Sequence, residues 1–594
     1  MLKALLKALL ISAGITAIFM ALINYLMLPA WNFYSAGFWW FWLIALLTFS
    51  GIFSIASYCE YEYGDDEMGA LPAVISWGVM GVFAVVFIIC GIASSPMCNA
   101  HKLHDIAQVT VKGIDISDES SDFEDVTVIA NQEKLPLVDL DTAITLGDKK
   151  VASLPHASWY DVDDEYNLIK YQDEYYRLST IDYAGGYFKW NKAQYDGVPG
   201  YVLVPVTPEN GIVTQDAILV TLENPIIYTP GAYFDKDLGR HLRNQYPSYI
   251  FDRSFMEIDE EGVPYWVTGV MTPTAGLFGG KVVNSFILTN AQTGASEEYS
   301  INDAPEWIDH IYSLGYLMDV AYWYYGYGNG FWNDTFGQAN VLRTSYYHRD
   351  KDRSDNEGAE IFANFYGYSS IIDKDGQVCF YTGLTAANKS ESNLGWLVVD
   401  TSTGKMTQYN LVGAEEHSAQ LAVEQLVQEK GYQATFPLPV NIAGEPSYLM
   451  CLKGKAGLVQ SYAICSMSNY SIAVEADTLP KAINKYQAKL LGLDDGWEYG
   501  GSVDAPFSDP YALAELPTPS ATPTPTPNAS GSGVIDAIYT AEIDGTTQFY
   551  YMINGKLYRA SIKVDESQVL LEKGDSISFD YYTDGDIRVI VAIK

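Results

Sequence analysis

Apolar positions run almost unbroken three times in the first hundred residues, over Ala8–Leu28, Phe38–Ala56 and Leu71–Ile92. Each run is close to the roughly 20 residues that cross a bilayer core, so the pattern predicts three transmembrane helices. None of the runs holds Asp, Glu, Lys or Arg, and no ion path is read inside the membrane. Trp39, Trp40 and Trp42 gather at one end of the second run, as an interfacial aromatic belt does. A cleaved signal peptide competes for the first run because Lys3 and Lys7 give it a basic start. No small-x-small site closes that run, however, and two more spans follow it. Those two lysines, the only Lys or Arg in residues 1–100, predict a cytoplasmic N-terminus. Everything after Ile92 is then extracytoplasmic.

Beyond the spans the pattern shortens and alternates. Gly262–Val267, Gly276–Gly280, Ser285–Leu288, the turn Asn290–Gly294 and a polar strand through Tyr299 are matched by Gly376–Tyr381, Gly395–Val399, Asp400–Gly404 and Met406–Tyr409. Partial copies lie at Gly197–Val204 and Gly444–Ser466, so four related meanders are expected. Helical stretches alternate with them: Pro230–Gln245, Ala304–Val320, Ser418–Lys430 and Leu479–Leu491. Pro230 and Pro305 suit first turns, and Leu421, Val423, Leu426 and Val427 form a 3.6-period stripe. The fold class read from this is α+β, with tandem helix-plus-antiparallel-meander modules over residues 98–500 following a membrane domain over 1–97.

Residues 501–533 read as a linker, because Leu516–Gly533 passes from Pro/Thr to Ser/Gly and cannot pack a core. Its alternating prolines favour an extended path reaching on the order of 50 Å. After it, residues 534–594 alternate apolar and polar positions in five short runs, with Asn554-Gly555 and Asp584-Gly585 between runs as hairpin turns. A five-stranded OB-like small β-barrel is predicted.

The hairpin Val399-Asp400-Thr401-Ser402-Thr403-Gly404 resembles the PepSY-type modules of bacterial cell-surface proteins. Asn290 stands for the Asp in the copy 110 residues earlier, and Asp-x-x-Thr-Gly also suits any β-turn. Residues 100–500 as a whole are similar to a group of membrane-anchored proteins of clostridia-type bacteria with no assigned activity. The stretches carrying this are Val198–Tyr201, Leu238–Arg243, Glu257–Gly262, Gly276–Gly280 and Asn329–Asn333. The second resemblance implies a setting and no mechanism; the first implies, as one family role, restraint of a peptidase.

Composition narrows the function. Lys plus Arg total 35 against 73 Asp plus Glu. Residues 1–100 hold two basic and five acidic residues, so the remainder carries 33 against 68, a net of −35. No basic surface exists to neutralise a phosphate backbone, which excludes a nucleic-acid role. The six cysteines have no CxxC or metal-finger spacing, and Cys98, Cys379, Cys451 and Cys465 are too few for a disulfide framework; a Cys451–Cys465 bond stays open.

Candidate chemistry is sparse. There is no HExxH, GxSxG or GxxxxGK[ST], and Gly276–Gly280 reads as a mobile connection between strands. His101 and His104 form an i, i+3 pair without a third ligand. Asp350, Asp352, Asp355 and Glu357 offer oxygen ligands for calcium, but their spacing departs from an EF-hand loop, so a solvated loop is the preferred reading. Asp161, Asp163 and Glu165 invite the same comparison. Tyr322, Trp323, Tyr324, Tyr325, Phe331 and Trp332 form the densest aromatic stretch, suited to stacking on a glycan or lining a peptide groove, and equally to core packing.

The expected function is a non-enzymatic, membrane-anchored extracytoplasmic binding or regulatory protein of the bacterial envelope. Its expected partners are the membrane and an envelope protein, a peptidase or a cell-wall glycan. The alternatives are a surface enzyme acting on cell-wall material and a structural subunit of an envelope assembly.

Overall fold

The structure is a computed structural model that describes residues 2–63, 71–113, 135–163, 166–209, 211–213, 216–348, 367–373, 375–387, 392–410, 413–442, 445–490, 492, 529–543, 546–565, 568–569, 571–584 and 587–593. Three helices open the chain: α1 (Leu2–Met27), α2 (Ala36–Tyr63) and α3 (Leu71–Ala93). All three are long and apolar enough to cross a membrane. α1 packs on α2 around Ala8 and Phe53 at one level and Met20, Phe41 and Ala45 at another. No residue of α3 is buried. A continuous apolar surface of this size belongs against lipid rather than water.

The ends of α1 and α3 and the start of α2 meet the rest of the chain on one side. Arg240 Nη1 donates to the Tyr25 carbonyl at 2.7 Å, and Arg243 Nε donates to that of Leu28 at 3.1 Å. These are carbonyls that the last turn of a helix leaves without partners, at its negative dipole end, so two guanidinium groups suit them. Trp31 N donates to the Pro247 carbonyl at 2.8 Å and Asn32 Nδ2 to that of Ser248 at 2.9 Å.

The hairpin joining strands Pro264–Ala275 and Gly279–Asn290 completes this junction. Ser94 Oγ accepts from Leu277 N at 2.8 Å and Phe278 N at 3.1 Å. The Phe278 ring lies 6.2 Å from Trp39 and 5.7 Å from Phe87. The Gly-rich tip expected to be a mobile connection is instead docked on the membrane helices. Its glycines serve close approach: a Cβ on Gly276 would lie 2.6 Å from Ser94 Cα, and one on Gly279 would overlap the Ser94 carbonyl oxygen.

Four predominantly antiparallel sheets follow among the described residues, plus a two-stranded ribbon and the terminal barrel. The first sheet has five strands centred on Glu174–Tyr183 and Val198–Pro205, and the second has four, Ile250–Ile258 through Ser296–Ser300. The third has seven strands around Val378–Ala386 and Ser392–Asp400, and its edge strand Val109–Gly113 runs parallel to Met406–Asn410. The fourth has five around Glu445–Lys453 and Val459–Ser466. One hydrophobic core reaches from Leu135 to Tyr486 through all four sheets, so the repeated meanders fuse rather than standing as separate beads.

The second and third sheets repeat their turn chemistry atom for atom. Asn290 Oδ1 accepts from Gln292 N and Thr293 N, and Asp400 Oδ1 from Ser402 N and Thr403 N. Gly294 and Gly404 follow at φ 74° and 70°. At the opposite hairpins, Asp259 Oδ1 accepts from Glu261 N and Val263 N, and Asp373 Oδ1 from Asp375 N and Gln377 N, with Gly262 and Gly376 at φ 81° and 80°. The Asx side chain bonds the turn amides and glycine takes the left-handed position, which is why this pattern was legible.

Two helices start later than the prolines suggested. The first is Leu238–Gln245, where Asp237 accepts from Arg240 N, and the second is Leu314–Tyr327, where Ser313 accepts from Tyr316 N. Side-chain N-caps set these starts, not Pro230 or Pro305. The other two, Glu416–Leu426 and Leu479–Leu490, fall within about four residues of their expected bounds. The barrel closes in the strand order Ala529–Ile543, Thr546–Ile553, Lys556–Ser561, Ile587–Ile593, Ser576–Asp584. Its first strand begins inside the expected linker. Gly531 and Gly533 pair with Phe579 and Ile577, and a Cβ on Gly531 would lie 2.8 Å from the Phe579 ring, so these glycines are strand residues that admit a neighbour's side chain.

Candidate functional site

A cavity of about 1050 Å³ opens between the membrane junction and the interior of the sheets. Its membrane end is walled by Ser94, Pro96, Met271, Phe278 and Lys281, and its inner end by Arg177, His310, Tyr368, Ser370 and Phe380. The elements that place these residues are far apart in sequence: the end of α3, the docked hairpin, the strand Glu174–Tyr183 and the strand Val378–Ala386.

Arg177 is 6% exposed. Its Nε donates to the Val138 carbonyl at 2.7 Å and its Nη1 to that of Tyr166 at 3.2 Å. No carboxylate forms an ion pair with it among the described residues. Asp139 and Asp141, whose charges act on it, already hold Lys453 Nζ. Burial therefore holds the guanidinium below its ordinary pKa. A buried cation satisfied only by neutral carbonyls is costly unless an anion joins it.

His310 lies on the same wall, its ring between Phe255 and Phe380 with centroids 6.1 and 5.9 Å away. Its Nδ1 is 2.9 Å from Glu257 Oε1, and both side chains are almost wholly buried. Burial lowers His310 to about 4 and raises Glu257 well above the usual carboxyl range, favouring the neutral form of each. Two arrangements satisfy this contact, the Glu257 O–H donating to Nδ1 or the imidazole Nδ1–H donating to Oε1. Nε2 has no hydrogen-bond partner among the described residues. The cavity lining thus holds a buried guanidinium bonded to two neutral carbonyls and, beside it, an imidazole whose Nε2 is buried without a partner among the described residues.

Asp309, next to this pair, is raised to about 7, first by burial and then by Glu257, while the Lys170 amide that donates to its Oδ2 opposes the shift. A raised acid stabilises the fold at low pH and loses that contribution as pH rises from about 4 through 7. The lowered His310 acts oppositely across about 6.5 to 4. Asp309→Asn keeps an oxygen for Lys170 N and removes the acid's titration. Its Tm is expected to match the parent's near pH 4 and exceed it by the equivalent of ~2 kcal/mol above pH 7. Equal differences at both pH values would contradict the assignment.

The residues singled out from sequence fall in several places. Of the six aromatics, Trp323 reaches the cavity. Tyr322 OH donates to Asp334 Oδ2, with Arg343 above its ring, and Tyr325 is buried with its OH donating to Gln408. Tyr324 stacks on His104, whose Nδ1 is 2.8 Å from the Tyr324 carbonyl. Phe331 and Trp332 pack edge to face, and Trp332 is exposed beside Phe336. The stretch is therefore divided among packing, hydrogen bonding and one wall of the cavity.

Asp350, Asp352, Asp355 and Glu357, the calcium candidates, lie outside the described residues, as does Glu165. Asp163 lines the cavity. Among the described residues no three His, Cys, Asp or Glu side chains gather as a metal site. Cys379, Cys451 and Cys465 are buried free thiols. Cys451 pairs with Tyr462 and Cys465 with Tyr448, three rungs apart on one ladder and too distant to bridge.

Sequence reasoning missed Arg177, His310 and Glu257. The one available signal was charge in an apolar strand, Arg177 after Tyr175-Tyr176 and Glu257 after Phe255-Met256. Comparison of the chain with protein-family profiles, curated proteins and solved structures finds no match.

Proposed function

We propose that this chain is a membrane-anchored, extracytoplasmic binding protein of a bacterial envelope, and that the cavity at its membrane junction is the ligand site. One observation carries this reading: Arg177 is buried on the cavity wall with neutral carbonyls as its only hydrogen-bond acceptors among the described residues. A fold that keeps such a group gains when an anion arrives, so the ligand bears a carboxylate or phosphate. The N-terminal Lys3 and Lys7, on the helix end away from the sheets, support a cytoplasmic N-terminus. The PepSY-like hairpins and OB-like barrel support a regulatory output to an envelope protein, a peptidase or a cell-wall glycan. The −35 charge of the chain beyond residue 100 leaves nucleic acid out.

The surface-enzyme reading rests on the Glu257–His310 pair. A neutral carboxyl cannot stabilise an imidazolium, and an imidazole held near pKa 4 is a weak base at neutral pH, so binding is preferred. The test is a thermal melt of purified, delipidated protein with inorganic phosphate or glycerol phosphate. Stabilisation of the parent, absent in Arg177→Met, is expected; no stabilisation by either anion would remove the reading. For orientation, protease treatment of intact cells is expected to release the 529–594 barrel, and protection would invert the topology.

A further inference from the structure

We infer that the ligand is an anionic amphiphile taken from the bilayer, its charged head against Arg177 and its hydrocarbon directed toward the end of α3. This rests on the cavity being the binding site. Three features of the cavity lead there.

First, its wall changes character along its length. The buried Arg177 guanidinium lies at the inner end, whereas Pro96, Met271, Phe278 and Trp323 add apolar surface toward the end of α3. A small hydrophilic anion leaves that apolar wall unused, and about 1050 Å³ is at the upper end of small-molecule sites.

Second, the mouth is built from parts of the membrane junction itself. Ser94 directly follows α3 and holds the hairpin tip, and Phe278 sits against Trp39 and Phe87 of two spanning helices. The opening therefore lies at headgroup level, where tryptophan belts sit. Lys281, also on the wall, has no ion-pair partner among the described residues and is placed to meet a headgroup on entry.

Third, the charge balance favours lateral delivery. The chain beyond residue 100 carries a net of −35, so a dissolved anion approaches against a repulsive field. A lipid arrives within the membrane plane and meets Lys281 on the cavity wall before reaching Arg177.

The experiment uses full-length protein in nanodiscs of phosphatidylcholine, into which phosphatidylglycerol or phosphatidylcholine carrying an acyl-chain diazirine is introduced. Crosslinked residues are mapped by peptide mass spectrometry. With the phosphatidylglycerol probe, label is expected on cavity residues such as Met271 and Trp323. It should fall about tenfold or more in Arg177→Gln, the loss of one charge-assisted contact. Lys281→Glu, at the mouth and outside the buried core, should also reduce it, which guards against misfolding of the Arg177 variant. Label confined to α1–α3, or equal label from both probes, overturns the inference. If glycerol phosphate still stabilises the protein through Arg177 while no cavity label forms, the binding site stands and the lipid route falls. If neither occurs, both fall.

Discussion

Replacing Lys453 with Met is expected to destabilise the protein by about 3–5 kcal/mol, the usual loss when one partner of a buried ion pair is removed. Lys453 ends the strand Glu445–Lys453 and is 2% exposed. Its Nζ lies 2.5 Å from Asp139 Oδ2 and 3.2 Å from Asp141 Oδ2, clamping segments more than 300 residues apart. Asp139 also caps the helix Leu140–Val151, accepting from Thr142 N and Oγ1. Methionine fills the space of the lysine stem but leaves two carboxylates facing each other in a low-dielectric site. The deficit in Tm should therefore be large at pH 7. An unchanged Tm at pH 7 would show that the clamp contributes nothing.

Arg177→Met is expected to have the opposite profile, little or no cost in the empty protein and a complete loss of anion response. The substitution forfeits two hydrogen bonds to carbonyls, about 1–3 kcal/mol in all, but it also removes the several kcal/mol needed to keep an unpaired cation out of water. Those terms nearly cancel. When the anion is present at a hundred times its Kd, the parent gains about 2.7 kcal/mol by mass action and the variant gains none. A denaturant or thermal titration reads both quantities in one experiment. A large loss of stability in the empty variant would mean that Arg177 is a structural residue, and a retained anion response would place the ligand elsewhere.

What the chain makes legible and what it conceals follow from how local each signal is. The three spans are continuous apolar runs, and the structure places them almost where composition does. The paired hairpins were readable because each turn needs an Asx oxygen and a glycine at fixed offsets. Asn290/Gly294 and Asp400/Gly404 supply both, as do Asp259/Gly262 and Asp373/Gly376. The barrel strands alternate, and their first boundary moved furthest, because Gly531 and Gly533 look like linker until Phe579 is seen packing over them.

The cavity was not legible. Ser94, Arg177, Phe278, His310 and Phe380 come together only through tertiary packing of separate sheets and a membrane helix. Arg177 sits in a strand with buried residues on both faces, so no alternation marks its position. The glycines of the 276–280 tip suggested freedom. Their real use, approach to the Ser94 backbone, depends on a neighbour nearly two hundred residues away.

The most direct test is an experimental density map of the full-length protein extracted in mild detergent without delipidation. A bound molecule is expected with its anionic end at Arg177 and its body running toward Ser94 and Phe278. A cavity holding only water, or a guanidinium paired with a carboxylate of the chain itself, would contradict the claim that this junction is a ligand site.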